Sequence, residues 1–296
     1  MGKTLVIVDS NNSAWKAYHA YSRLSYKNFV VSIIYGLVTM VRSYISRFNP
    51  DEMILVWDGG HSKERVKVLP NYKERAHKSL TDYKNFLKQK SIVQKMFKHL
   101  GVKQIFNSKG EADDMIYKLT KLAGKNGFTN VIIISNDKDF DQLIDANVSI
   151  FNDKRKKKTI ITEENCFEEK GYHAHNTVDW LTLIGDNSDN IPGYPGIGPT
   201  KAAQLLEKYG SLANFLKSND DHTIIKRDKL LELIDICRVL IDLRYFYSKF
   251  KDQLKTEYIG GKNPKLNVEK FNRLARKYNM TKLMGNSFIR PFKTLK

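Results

Sequence analysis

Leu5-Val6-Ile7-Val8-Asp9 is a short β-branched run that ends on a carboxylate. Two later stretches repeat the pattern: Met53-Ile54-Leu55-Val56-Trp57-Asp58 and Val131-Ile132-Ile133-Ile134-Ser135-Asn136-Asp137-Lys138-Asp139. Apolar runs of this length, bounded by polar residues, read as buried strands rather than helices. Weaker runs of the same kind occupy 148–151 and 159–161. Helical patterns lie between them. Residues 29–48 are apolar over a broad face, 81–100 are amphipathic, and 112–123 carry Met115, Ile116, Leu119 and Leu122. Strands alternating with helices predict an α/β fold with a mainly parallel sheet flanked by helices. In such a sheet the C-terminal strand ends share one edge, and ligands bind there. Asp9, Asp58, Asp137 and Asp139 are thereby delivered to a single edge.

After residue 163 the strand signal stops. Short helices are expected at 177–184, 200–208, 212–216, 229–241 and 268–278, with a late break at Gly260-Gly261 and Pro264. The expected units are an α/β domain over 1–165, a helical domain over 166–262, and a C-terminal helix and tail over 263–296.

Lys and Arg number 50 against 32 Asp and Glu, a net charge of +18. That excess suits a polyanion, either nucleic acid or an anionic membrane. It equally suits a solvated lysine-rich surface. The cluster Lys154-Arg155-Lys156-Lys157-Lys158 reads both ways, as a phosphate contact or a solvated turn. Two cysteines, Cys166 and Cys237, are too few for a disulfide scaffold or an all-cysteine zinc site, which points to a reducing compartment. No stretch approaches the roughly 18 apolar residues of a membrane span, and the N-terminal apolar run is too short for a signal peptide. The expectation is a cytoplasmic protein.

In a basic chain the acids are informative. Gly110-Glu111-Ala112-Asp113-Asp114 opens a helix, with Glu111 and Asp114 on one face and Asp113 to the side. Gly185-Asp186-Asn187-Ser188-Asp189-Asn190 follows the helix containing Trp180. Taken singly, each acid also fits a helix cap or a turn. Taken together, they would crowd one sheet edge. Two anions about 4 Å apart repel by ~4 kcal/mol at an effective dielectric near 20. Cations must compensate. Oxygen ligands without His or Cys select Mg²⁺ or Mn²⁺. Two such ions in a carboxylate nest are the equipment for phosphodiester hydrolysis.

Other phosphate motifs fail. Gly193-Tyr194-Pro195-Gly196-Ile197-Gly198 has P-loop glycine spacing, but Pro199-Thr200 stands where Lys-Ser/Thr is required. Lys201 occupies the third Rossmann glycine position, and Asp9-Ser10-Asn11 lacks the second Asp of an Asp-x-Asp phosphatase. The glycine turn instead leads into a helix with Pro199 in its first turn, a helix-hairpin-helix layout. Its backbone N–H groups can approach phosphate oxygens without reading sequence.

These blocks resemble the 5′-nuclease superfamily: flap endonucleases, bacterial polymerase I 5′-exonuclease domains and, above all, bacteriophage T5-type flap endonucleases. The marks are Ile7-Val8-Asp9, Trp57-Asp58, Gly110 to Asp114, Ser135 to Phe140, Gly185 to Asn190 and Gly196-Ile197-Gly198. The resemblance spans nearly the whole chain and thins after about residue 250. It implies a PIN-like or resolvase-like α/β domain, a helical arch over about 61–98, and a helix-hairpin-helix domain. It also implies a flap endonuclease and 5′→3′ exonuclease that cuts near the junction of a 5′ single strand with duplex DNA.

The resemblance assigns residues as well. Asp9, Asp58, Glu111, Asp113 and Asp114 match one metal cluster, and Asp137, Asp139, Asp186 and Asp189 match a second. The implied cofactors are two Mg²⁺ ions, with Mn²⁺ as a substitute, and in some members K⁺ at the hairpin. Lys73 and Arg75 match the arch element that clamps the scissile phosphate, although Arg75 comes two residues after Lys73 rather than three. Gly196, Ile197, Gly198, Thr200 and Lys201 match the duplex-holding turn. Trp15 matches an aromatic that stacks on a base beside the cut; as a core cap it fits equally. The implied partner is branched or 5′-flap DNA, bound by a monomer that works with replication proteins, as in a phage. Two other functions stay open: RNase H-type removal of RNA primers from RNA–DNA hybrids, and structure-specific binding without catalysis. The second predicts lost carboxylates, and none is missing.

Overall fold

The structure is a computed structural model describing residues 2–74, 80–154, 157–218, 220 and 222–295. In chain order its elements begin with β1 (Lys3–Asp9), α1 (Ser10–Ala20), a small hairpin of β2 (Ser25–Tyr26) and β3 (Phe29–Val30), and α2 (Ser32–Phe48). Next come β4 (Glu52–Asp58), α3 (Lys63–Val68), α4 (Leu80–His99), β5 (Lys103–Asn107), α5 (Ala112–Ala123) and β6 (Phe128–Ile134). They are followed by β7 (Val148–Asp153), β8 (Lys158–Ile161), α6 (Cys166–Lys170), α7 (Thr177–Ile184) and α8 (Pro199–Tyr209). The remainder is α9 (Leu212–Lys217), α10 (Arg227–Leu240), α11 (Leu243–Phe250), β9 (Glu257–Tyr258), α12 (Val268–Lys277) and α13 (Asn286–Ile289).

The sheet order is β8-β7-β6-β1-β4-β5-β9. Strands β7, β6, β1, β4 and β5 run parallel, while β8 and β9 are antiparallel at the two edges. β1 is central: from it the chain builds outward through β4 and β5, then returns to its other side with β6 and β7. That reversal is the topological switch point, and its carboxyl edge is the ligand edge of such sheets. Register sets Asp9 opposite Val56 and Asp58 opposite Asn107.

Alternate residues of the parallel strands feed two apolar layers, as side-chain alternation requires. Val6, Val8, Leu55 and Trp57 pack against α1, α2 and α4. Leu5, Ile7, Ile54 and Val56 pack against α5 and Leu243 of α11. A third core lies among the C-terminal helices, around Trp180, Leu205, Phe215 and Leu230.

Four differences from the sequence expectations have physical causes. β5 was not anticipated because Lys103-Gln104 opens it and hides its period. β9 carries strand pairing beyond residue 163, since Tyr258 and Glu257 pair with Ile105 and Phe106 at an otherwise open edge. The helix expected from residue 29 starts at Ser32, because Phe29 and Val30 pair with Tyr26 and Ser25 instead. Residues 263–296, expected as a C-terminal helix and tail, also complete the first core: Phe271, Met280, Leu283, Ile289 and Phe292 are buried against it. Among the described residues, no helix is long and apolar enough to cross a membrane.

Candidate active site

At the carboxyl edge of β1, Asp9 caps α1 by accepting from the Asn12 amide (3.1 Å), while its other oxygen accepts from the Ser135 hydroxyl (2.9 Å). Asp58, at the end of β4, accepts from the Ala112 amide (2.9 Å) and from the Asn11 carboxamide. Asp137 accepts from the Asp139 amide (3.1 Å), and Asp186 accepts from both the amide and hydroxyl of Ser188 (2.8 and 2.7 Å). Cap and cluster are therefore not competing roles. The local hydrogen bond aims each carboxylate, and the sheet edge gathers them.

Electrostatics reports the gathering. Burial, then repulsion from Asp113 and Asp58, pushes Asp9 well above the usual carboxylate range. Burial and Asp113 push Asp58 up. Burial and Asp113 raise Asp137 to about 7, and burial with Asp137 and Asp189 raises Asp139. Burial raises Asp189, with Asp113 and Asp186 adding to it against the opposing pull of Lys73. The two expected clusters thus form one field, with Asp113 common to both. Burial alone would also raise Glu111, but Arg65 and Lys73 overcome it and hold Glu111 at about 2.

Lys138 Nζ stands 3.9 Å from Asp186 at the rim, and a second ammonium lies deeper among these acids. Lys73 Nζ is 2.7 Å from Glu111, 3.2 Å from Asp113 and 3.6 Å from Asp189. Burial would lower its pKa; Asp113, Glu111 and Asp189 outweigh burial and keep it protonated. Among the described residues no three carboxylates converge as a ready-made metal cage; the Lys73 ammonium takes up three of them.

Asp114, expected among the ligands, is paired with Arg65 in this structure. Arg65 grips both of its oxygens, and the Arg65 Nε also donates to the Leu240 carbonyl (3.2 Å). Glu111 Oε1 stands 3.5 Å from the same guanidinium. Arg75 lies outside the described residues.

Trp15 has its ring stacked on Phe86 at 4.1 Å and on His19 at 5.9 Å, so aromatic neighbours flank it. The glycine turn between α7 and α8 lies beyond Asp189. Gly196 has φ +81°, Ile197 is buried, and Gly198 caps α8 with Pro199 following. A Cβ on Gly193 would sit 2.4 Å from the Ile184 carbonyl carbon, so only glycine permits that closure. Thr200 and Lys201 are exposed, and Lys201 Nζ donates to the Gly196 carbonyl (3.2 Å).

Sequence reading did not single out Arg65, Tyr72, Lys90 or Asn190. Lys90 Nζ reaches the Asp58 carbonyl at 3.2 Å. Arg65 and Lys90 lie in the span 61–98, which is rich in lysine and arginine, and no pattern separates them from solvated neighbours.

A resolvase-like sheet with acids at its switch point, joined to a glycine hairpin, defines the 5′-nuclease class. Residues 4–171 match the family described as 5′-3′ exonuclease, N-terminal resolvase-like domain, and residues 172–258 match 5′-3′ exonuclease, C-terminal SAM fold. The chain belongs to this 5′-3′ exonuclease family and is a nuclease. A 5′-3′ exonuclease of Aquifex aeolicus is 33% identical over 217 residues, covering 73% of each chain. DNA polymerase I of Caldicellulosiruptor bescii is 33% identical over 231 residues, which are 76% of this chain but 27% of that protein. The chain thus spans about a quarter of the polymerases it matches. Bacteriophage T5 5′-exonuclease with bound zinc shares the fold at TM-score 0.72 and 19% identity, covering 96% of this chain and 100% of that one. A T5 flap endonuclease variant in a pseudo-enzyme-product complex with DNA and metal ions aligns at TM-score 0.69 and 20% identity, over 94% and 100%.

Proposed function

We propose that this chain is a divalent-metal-dependent 5′ nuclease that hydrolyses phosphodiesters where a 5′ single strand meets duplex DNA, and that also trims 5′ ends exonucleolytically. The observation that carries this reading is the mutual repulsion of the buried acids Asp9, Asp58, Asp113, Asp137, Asp139 and Asp189, with the Lys73 ammonium 3.2 Å from Asp113 and 3.6 Å from Asp189. The donor set fits Mg²⁺ or Mn²⁺, since every donor is a carboxylate oxygen and their summed charge exceeds what Lys73 neutralises. Asp9, Asp58, Glu111 and Asp113 would hold one ion; Asp137, Asp139, Asp186 and Asp189 would hold a second. Bound divalent ions supply a more acidic water and charge neutralisation at the phosphate.

The chain's own groups do the rest. Lys73, kept protonated, offers positive charge to a phosphate oxygen as negative charge develops. Asp114 supports the site by neutralising Arg65. The Gly196–Gly198 turn and the N-terminus of α8 present backbone N–H groups to duplex phosphates, with K⁺ a candidate at that turn. The similarity to DNA polymerase I and T5 nucleases extends the reading to flap or primer removal during replication, in a bacterial or phage-infected cytoplasm.

The test is cleavage of a labelled 5′-flap duplex in Mg²⁺ and in EDTA, with Asp58→Asn and Asp137→Asn alongside. Both variants and EDTA abolish cleavage on this reading; undiminished cleavage in any of them refutes it. Matched DNA and RNA 5′ ends in the same assay separate flap processing from RNase H-type action.

A further inference from the structure

The turn that carries Lys73 is fastened from the helical domain. Lys73 has φ +52°, a left-handed backbone that costs a side-chain-bearing residue roughly 1–2 kcal/mol. Three contacts hold it. The Lys73 amide donates to the Asp189 carbonyl at 3.1 Å. The Asn190 carboxamide nitrogen donates to the Asn71 carbonyl at 2.7 Å and to the Glu74 carbonyl at 2.9 Å. One NH₂ group therefore spans both ends of the four-residue turn that displays Lys73. Two carbonyl acceptors also fix which end of the amide faces the turn, because only the nitrogen has protons to give. Asn190 is itself left-handed at φ +59°, a backbone that Asn tolerates better than most residues.

Packing agrees with the hydrogen bonds. Tyr72, 4% exposed, belongs to the helical-domain core with Trp180, Ile191 and Tyr194, and its hydroxyl donates to Glu111 (3.1 Å). The backbone under Lys73 is thus referenced to the loop before the glycine hairpin, while its ammonium points into the sheet-edge cluster.

We propose that Asn190 is a positioning residue for Lys73: its carboxamide holds the 71–74 turn so that the ammonium stands over the carboxylates. This rests on the reading of Lys73 given under Proposed function. The chemistry of the side chain is specific. Asp would turn carboxylate oxygens toward two carbonyls, and Gly would keep the left-handed backbone while deleting both hydrogen bonds. Displacing a catalytic group by about 1 Å can cost ~10²-fold in rate.

The experiment measures single-turnover cleavage of a 5′-flap duplex in Mg²⁺, and duplex affinity in Ca²⁺, for the parent, Asn190→Gly, Asn190→Asp, Lys73→Ala and the Lys73→Ala/Asn190→Gly double variant. Asn190→Gly and Asn190→Asp should each slow cleavage by at least about 10-fold, with affinity within about twofold of the parent. In the Lys73→Ala background, Asn190→Gly should add less than about twofold, because its effect runs through Lys73. A parental rate for Asn190→Gly overturns the proposal, as does a loss that multiplies undiminished on top of Lys73→Ala. A parental rate for Lys73→Ala overturns instead the role of Lys73 itself, and the proposal with it.

Discussion

Arg65 and Asp114 form a two-bond ion pair sealed from solvent, with N–O distances of 3.0 and 2.7 Å and each side chain 1% exposed. The guanidinium also lies 4.1 Å from the centre of the Phe246 ring. Both charges are therefore fully desolvated, and either one left alone would have no water to turn to. Arg65→Met should destabilise the fold by about 3–5 kcal/mol, the usual cost of stranding one member of a buried pair. Asp114→Asn should cost less, since an amide can still accept one guanidinium hydrogen bond. Urea denaturation of both variants checks this; equal and small losses would mean the pair is replaceable.

Asp153 ties α1 to the end of β7. Lys16 and Tyr44 both bond its carboxylate, Tyr44 at 2.7 Å, and Lys158 adds a third contact. Burial would raise Asp153, but these partners outweigh it and hold the group below its ordinary range. Its ionised form is favoured by folding. The stabilisation is therefore complete above the unfolded value near 3.9 and is lost as pH falls through the lower folded value. The stability difference between the parent and Asp153→Asn should stay constant from pH 7 to about 5 and narrow below about 4. A difference that does not change with pH would assign it to packing rather than charge.

Divalent ions should stabilise the protein without DNA. Repulsion among Asp9, Asp58, Asp113, Asp137 and Asp139 is relieved when a cation binds. At a hundredfold excess over Kd, one site adds about 2.7 kcal/mol. Thermal melts in EDTA and in Mg²⁺ or Ca²⁺ measure the gain, and Asp137→Asn should reduce it. Ca²⁺ should also tighten binding to duplex DNA by quenching the acidic edge. No change in melting midpoint with Ca²⁺ would count against a metal site here.

Gly193→Ala should weaken the hairpin. The new methyl would meet the Ile184 backbone at 2.4 Å, and backbone cannot swing aside as a side chain can. The expected loss is about 1–3 kcal/mol, by the cost of overpacking. Affinity for duplex DNA should fall with it. A variant that melts and binds like the parent would mean the turn rearranges freely.

Much of the sheet and the acidic edge was legible because it rests on local signals. The runs ending at Asp9 and Asp58 carry their strand and their carboxylate in consecutive residues, and 112–123 forms the helix its spacing predicts. What could not be read depends on distant partners. β9 exists because β5 offers an edge about 150 residues earlier in the chain. Asp114 looked like its neighbour Asp113 until the fold brought Arg65 against it. Trp15 admitted two readings, and its contact with Phe86 is set by α4 rather than by its own helix. Asn190 looked like one more turn residue, and its partners lie 119 and 116 positions away.

The late closure of the first core has a consequence for synthesis. Val6 and Val8 share their apolar layer with Phe271, Met280, Leu283 and Phe292. Arg42 of α2 donates to the carbonyls of Ser287 and Phe288, both at 3.1 Å. At 5–20 residues per second, a ribosome needs on the order of tens of seconds to make the intervening chain. Throughout that interval α2 and α4 present an unfinished apolar face, open to chaperones and to aggregation. The first apolar layer of the nascent nuclease thus stays incomplete until residues 271–292 emerge.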